Sequence, residues 1–175
     1  MKDSSFSGSL DKVFTIKIAD LLIETGRSDE VVFEHKFSDQ LPNLDNRGIS
    51  GSFSIQSLDG SSLMGTLLDV HATFHEVCES CGVSFERSVS IPTYSARFLF
   101  EQELKKELTT TSEEVLFSID AKSEIIDIED MVVQSILLND PFVKRCPQCS
   151  ARLDSLESDE DSLEEYGSVG NVVFS

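Results

Sequence analysis

Hydrophobic and polar positions alternate over much of this chain. "KVFTIKIADLLIE" starts with Val13, Phe14, Ile16 and Ile18, then packs Leu21, Leu22 and Ile23 together, which predicts a strand followed by a short helical turn. "EVVFEHKFS" reads as a second strand, with Val31, Phe33, His35 and Phe37 on one side and Val32, Glu34 and Lys36 on the other. "LPNLDNRGISG" has the composition of a loop. Phe53 and Ile55 then alternate up to Asp59-Gly60, and a long strand-like run continues to Cys78. An Asp-Gly pair between alternating runs predicts a hairpin. "VSFERSVSIP" and "SARFLFEQEL" read as further strands, and "EVLFSID" as a strand that pairs with them after the polar "KKELTTTSEE".

One segment has helical period. In "DIEDMVVQSILLNDP", Ile128, Val132 and Ile136 recur on one face together with Met131 and Leu138. Asp127 can cap the start, Glu129 and Asp130 suit the positive end of the helix dipole, and Pro141 prevents continuation. A core-packing helix is the plain reading of these residues. The chain shows no internal repeat. The elements sum to an α+β fold of mostly antiparallel sheet, built from hairpins with barrel-like closure as an option, and one late helix that leads into a cysteine pair.

Charge divides the chain. Among 175 residues there are 32 acidic and 14 basic side chains, a net of −18. No basic residue comes after Arg152, while "DSLESDEDSLEEYG" carries seven carboxylates. Such a block cannot bury enough apolar surface to fold by itself, so 1–153 reads as the domain and 154–175 as a flexible acidic tail. Without those seven charges the body is still at −11. Nucleic-acid binding rests on Lys and Arg neutralising phosphates, so naked RNA is a disfavoured partner and a basic protein a better one. Direct RNA contact would need Arg87, Arg97, Lys105, Lys106, Lys144 and Arg145 to gather on one face. No apolar run reaches the length of a membrane span, and the start lacks a secretory h-region, which implies a cytoplasmic protein with no membrane partner.

The candidate chemistry lies in the cysteines. All four fall in two C-x2-C pairs, Cys78 with Cys81 in "CESC" and Cys146 with Cys149 in "CPQC". The x2 spacing lets two thiolates converge on one ion around a tight turn, and four thiolates make a closed, structural zinc (Zn2+) site. Gly82 relieves backbone crowding after Cys81, and Pro147 stiffens the second turn. The 64 residues between Cys81 and Cys146 exceed the span of a simple zinc ribbon. A thiol redox role would need a helix starting at the first cysteine of a pair, and neither pair precedes a convincing helical pattern. Disulfides rank last in a reducing compartment. His71 and His75 have H-x3-H spacing but sit in a strand pattern without the glutamate of a metalloprotease, so half-buried or exposed strand positions are the plainer reading, with His75 a substitute ligand should a cysteine fail. No phosphate-binding glycine loop, nucleophile elbow or nucleophile–base pair stands out, which predicts a protein that is not an enzyme.

The order of these parts resembles the YceD family, the large ribosomal RNA subunit accumulation proteins. The likeness covers roughly residues 12–153 and is most specific in "EIIDIEDMVVQSILLNDPFVKRCPQC": Ile126 and Asp127, the helix, Leu137, Leu138 and Pro141, then Cys146 and Cys149. Where the family commonly has C-x-R-C-L, this chain has Ser80 and Gly82 in place of the Arg and Leu. The resemblance implies a non-enzymatic role in processing or accumulation of large-subunit ribosomal RNA, with a basic ribosomal protein or a pre-large-subunit particle as partner. A generic zinc-stapled interaction module and a thiol redox protein are the alternatives.

Overall fold

The computed structural model describes residues 14–107, 114–119 and 125–160. Val13 and residues 161–175 of the expected tail lie outside these. The chain forms two compact units. The larger is built from the chain up to His75 and from Glu86–Asp140, the smaller from Glu76–Phe85 and the chain from Pro141 onward.

The larger unit begins with strand β1 (Thr15–Lys17) and helix α1 (Ala19–Ile23), as the switch from alternation to clustered leucines predicts. Strands β2 (Ser28–Lys36), β3 (Ile49–Asp59), β4 (Ser62–Val77) and β5 (Ser84–Phe100) come next, then helix α2 (Glu101–Glu107), strands β6 (Leu116–Ile119) and β7 (Ile125–Asp127), and helix α3 (Glu129–Leu137). Two sheets result, one of order β2-β3-β4-β5-β6 and a small antiparallel pair of β1 and β7. The fold is α+β and dominated by antiparallel sheet.

The hairpin expected at Asp59-Gly60 joins β3 to β4. Asp59 pairs with Ser62 across the turn, and its carboxylate accepts the Ser61 amide at 2.8 Å and the Ser62 hydroxyl at 2.9 Å. In β2 the alternation holds through Phe33, which pairs with Gly51, and then breaks. A bulge inserts residues before Lys36 and puts His35 at φ +53°, so His35 and Phe37 leave the side that Phe33 faces. Two other expectations are corrected. Residues 84–100 form one continuous strand through Pro92, not two, and "EQEL" is helical, its first turns carrying the Lys105–Glu101 and Lys106–Glu103 pairs. Helix α2 also explains why β6 pairs parallel with β5, because a parallel neighbour requires a crossover connection.

One core holds this unit together. Phe53 meets Phe98 edge-on at 6.2 Å between ring centroids, and Phe98 stacks on Phe117 at 5.5 Å. Gly65 leaves room for these rings: a Cβ there would lie 2.6 Å from Phe98 and 2.8 Å from Phe53. Helix α3 buries Met131, Val132 and Ile136, with Ile128 just before its first turn, as its period predicts. The residue at the N-cap position is Ile128, not Asp127 as expected; Asp127 stands one residue earlier, and its carboxylate accepts the Glu129 amide at 2.8 Å. Leu138 departs from expectation at 67% exposure, although its backbone is still helical and its amide donates to the Gln134 carbonyl at 3.0 Å.

In the smaller unit, helix α4 (Pro147–Glu160) runs across the boundary expected at 153/154. The first seven residues of the anticipated flexible tail are therefore helical. Pro147 suits a first helical position, where its missing N–H is no loss, and neither Gly nor Pro interrupts the sequence from there to Gly167. Helix α4 also starts directly after Cys146, where the sequence pattern suggested no helix. Among the described residues no helix is long and apolar enough to cross a membrane.

Candidate metal centre

All four cysteines belong to the smaller unit. The first pair sits on the turn between β4 and β5. The Gly82 amide donates to the Cys78 carbonyl at 2.8 Å, and the Cys78 amide to the Val83 carbonyl at 2.9 Å. This tight closure needs a left-handed residue after Cys81, and Gly82 supplies it at φ +74°. A Cβ there would meet nothing within 4 Å, so conformation and not space calls for glycine.

The second pair reaches the first along the segment after Pro141. The Glu79 amide donates to the Lys144 carbonyl at 2.9 Å, and the Lys144 amide returns to the Glu79 carboxylate at 3.2 Å. The Lys144 ammonium pairs with the buried Glu76 at 3.0 Å, and Arg145 Nε donates to Ser80 Oγ at 3.3 Å. These contacts bring Cys146 beside the first turn, and the Ser150 amide closes on the Cys146 carbonyl at 3.0 Å to start α4. The 64 residues between the pairs are no obstacle, because the fold spans them.

The four sulfurs lie within 4.8 Å of one another, and Cys81 Sγ is 3.8 Å from Cys146 Sγ. A tetrahedron with metal–sulfur bonds of about 2.3 Å has edges of about 3.8 Å. All four are free cysteines; Cys78 and Cys146 are buried, Cys149 is half-buried and Cys81 exposed. The backbone amide of Cys146 pointing at Cys78 lowers that thiol to about 6 against the cost of its burial, with help from the Cys81 and Ser80 amides. Cys149 is pushed up to about 12 by the thiols of Cys81 and Cys146 and by burial. At Cys81 the Val83 amide favours the thiolate, but the Cys78 sulfur leads the influences that outweigh it, and the net shift is upward. These four cysteines could hold a metal ion, and their spacing and chemistry fit one.

The histidines play no part in this cluster. His75 lies in the larger unit, where its Nε2 is 2.7 Å from Asp45 Oδ2. Asp45, His75 and Glu86 bring their ligand atoms within 4.8 Å of one another, but the Arg47 guanidinium already bridges Asp45 and Glu86 as the cation of that group. The Arg47 side chain and its amide beside Asp45 hold the Asp45 carboxyl down at about 2. Sequence reading missed this network. Its signal was local: Asp45 accepts the amide two residues ahead, at 3.0 Å, the turn chemistry of "LDNRG". His71 is exposed on β4 and lines a shallow cleft of about 400 Å³ with His35 and Arg47.

Five of the six basic residues considered for RNA contact are ion-paired within the chain. Arg87 pairs with Asp140 at 2.6 Å, Arg97 with Glu114 at 3.4 Å, Lys105 with Glu101, Lys106 with Glu103, and Lys144 with Glu76. Comparison with protein-family models, with curated proteins and with solved structures finds no match to this chain.

Proposed function

We propose that this chain is a non-enzymatic ribosome-biogenesis factor of the YceD type, stapled by one structural Zn2+, that supports processing or accumulation of large-subunit ribosomal RNA through protein contacts in an assembling particle. The observation that carries the reading is the convergence of "CESC" with "CPQC". The two segments on which the family resemblance rests meet in one four-sulfur cluster, the second delivered by the chain that leaves α3. Four thiolates at tetrahedral spacing favour Zn2+, which when bound supplies a closed cross-link and folding energy with no open coordination position. The charge supports a basic ribosomal protein as partner: the net is −18, and the internally paired Lys and Arg side chains leave little to neutralise phosphates.

A thiol redox protein is the second reading, favoured by one observation, the start of α4 directly after Cys146. A C-x2-C pair at a helix N-terminus is the setting of many reactive cysteines. Redox chemistry needs two sulfurs, however, and here four converge.

Tagged full-length protein expressed in cells tests both. The ribosomal reading expects one zinc per chain by elemental analysis, co-sedimentation with large-subunit precursors, and loss of mature large-subunit RNA on depletion. A metal-free protein that reduces a disulfide substrate and never sediments with particles would establish the redox reading instead.

A further inference from the structure

Strand β2 is an open margin of the five-stranded sheet. It has β3 on one side and no strand on the other among the described residues. The Ser57 amide donates to the Arg27 carbonyl at 2.8 Å, in register with the ladder that pairs Ser28 with Gln56. Backbone groups alternate in direction along a strand. Asp29, Val31 and Phe33 therefore turn theirs to β3, while the amides and carbonyls of Ser28, Glu30 and Val32 point out of the sheet. The Glu30 amide agrees, since the adjoining Asp29 carboxylate takes it up at 2.9 Å. An edge of unpaired backbone groups is a template for another strand.

Side chains decide which strand fits. Phe33 is buried, so Glu30, Val32 and Glu34 share the face of β2 away from the core. Glu34 keeps to that face at the bulge, where it lines the shallow cleft with Ser50 and His71, a pair across β3 and β4. Val32 is 70% exposed between these two exposed carboxylates. Glu30 and Glu34 join no ion pair among the described residues, and 28–34 contains no cation. A second copy laid antiparallel about Val32 would set Glu30 against Glu34, and like charges directly opposite destabilise a pair. A strand bearing Lys or Arg meets the same carboxylates favourably. We propose that the 28–34 edge of β2 takes an extended Lys/Arg-rich segment of a protein partner as a sixth strand, with a β-branched apolar residue opposite Val32 and cations opposite Glu30 and Glu34. Backbone pairing attaches the segment, and its alternate side chains select it. The incoming carbonyl replaces Asp29 as acceptor of the Glu30 amide. This deepens the ribosomal reading and rests on it for the identity of the partner, though not for the site.

Fluorescence anisotropy with full-length protein tests it, using nine-residue peptides built on Thr with Lys, Val and Lys at alternate central positions. Three altered forms accompany the parent: one N-methylated at the Val amide, which would face β2, one N-methylated at the adjacent Thr, which would face away, and one with Glu for Lys. The parent is expected to bind about tenfold tighter than the Glu form and the Val-methylated form, and about as well as the Thr-methylated form. Glu30→Lys combined with Glu34→Lys should reverse the choice to the Glu form and leave the melting temperature unchanged, since both side chains are exposed. Val32→Pro removes an amide that points away from β3 and should weaken the parent about tenfold. Equal binding of the two methylated forms means charge attraction without strand pairing and overturns the site. So does an unchanged choice in the double Glu variant, which decides the matter even where Val32→Pro fails to fold. A chain that dimerises alone, and becomes monomeric in Val32→Pro, gives the edge to a second copy and overturns the proposal. Co-sedimentation with large-subunit precursors is read in parallel. Peptide selectivity without co-sedimentation keeps the strand site and overturns the ribosomal reading; co-sedimentation without peptide selectivity does the reverse.

Discussion

Replacing Val132 by Asp puts a carboxylate where α3 meets the core. Val132 is completely buried, with Met131 on the same helix at 0% exposure and Ile128 and Ile136 one turn away at 2% and 1%. An unpaired carboxylate there is forced into its neutral form. Protonating an aspartate of ordinary pKa near 3.9 at pH 7 costs about 4 kcal/mol, at 1.36 kcal/mol for each pH unit. Lost burial of the valine adds roughly 1.5–3 kcal/mol, and the unpartnered carboxyl about 1–3 kcal/mol more. The sum, about 7–10 kcal/mol, rivals the whole stability of an ordinary domain, about 5–15 kcal/mol. The first contribution depends on pH. The buried Asp has a folded-state pKa raised above its unfolded value, so its penalty is absent below the unfolded pKa and grows as pH rises. At pH 4.5 it shrinks to about 1 kcal/mol. Urea unfolding monitored by circular dichroism, with wild type, Val132→Asp and Val132→Asn each at pH 7 and pH 4.5, separates the contributions. The Asp variant should recover about 3 kcal/mol relative to wild type on acidification, and the Asn variant should not. A Val132→Asp protein that unfolds with wild type at pH 7, or an Asp–Asn difference that ignores pH, would put this side chain in contact with water and refute the packing of α3.

Gly65→Ala should destabilise by about 1–3 kcal/mol in chemical denaturation, because the new Cβ at 2.6 Å from Phe98 pushes on buried rings with nowhere to move. Asp45 has its carboxyl held near 2 by Arg47, below its unfolded value, so its contribution is present above pH 4 and lost as pH falls towards 2. Asp45→Asn should therefore lower the melting temperature at pH 7 and flatten its fall between pH 4 and pH 2; an unchanged acid limb would remove Asp45 from the network. Cys146→Ser should reduce bound zinc from one per chain to near zero and open the smaller unit to proteolysis, while α3 stays protected. Full metal retention by this variant would show that the cysteines do not act as one set.

Much of this protein is legible in its sequence, because it is decided by neighbours along the chain. The turn at Asp59-Gly60 comes from residues able to cap it and from alternation on both sides. Helix α3 comes from a 3.6-residue period between Asp127 and Pro141. The close spacing within each cysteine pair, with Gly82 free to adopt a positive φ, already implied two sulfurs presented together. Tertiary structure decided what depends on residues far apart. Nothing local to "CESC" or "CPQC" says that they meet across 64 residues; the Glu79–Lys144 hydrogen bonds and the Glu76–Lys144 ion pair do that. Parallel pairing of β6 depends on the crossover through α2, and the exposure of Leu138 on whether another element packs over the end of α3. Helix α4 escaped notice because its sequence lacks an apolar face, and only the turn at Cys146 starts it. Asp45, Arg47 and Glu86 read as ordinary surface charges until the fold closes them around one another. Periodicity reports the face a residue presents, whereas long-range pairing is set by which faces and charges can be satisfied together in three dimensions.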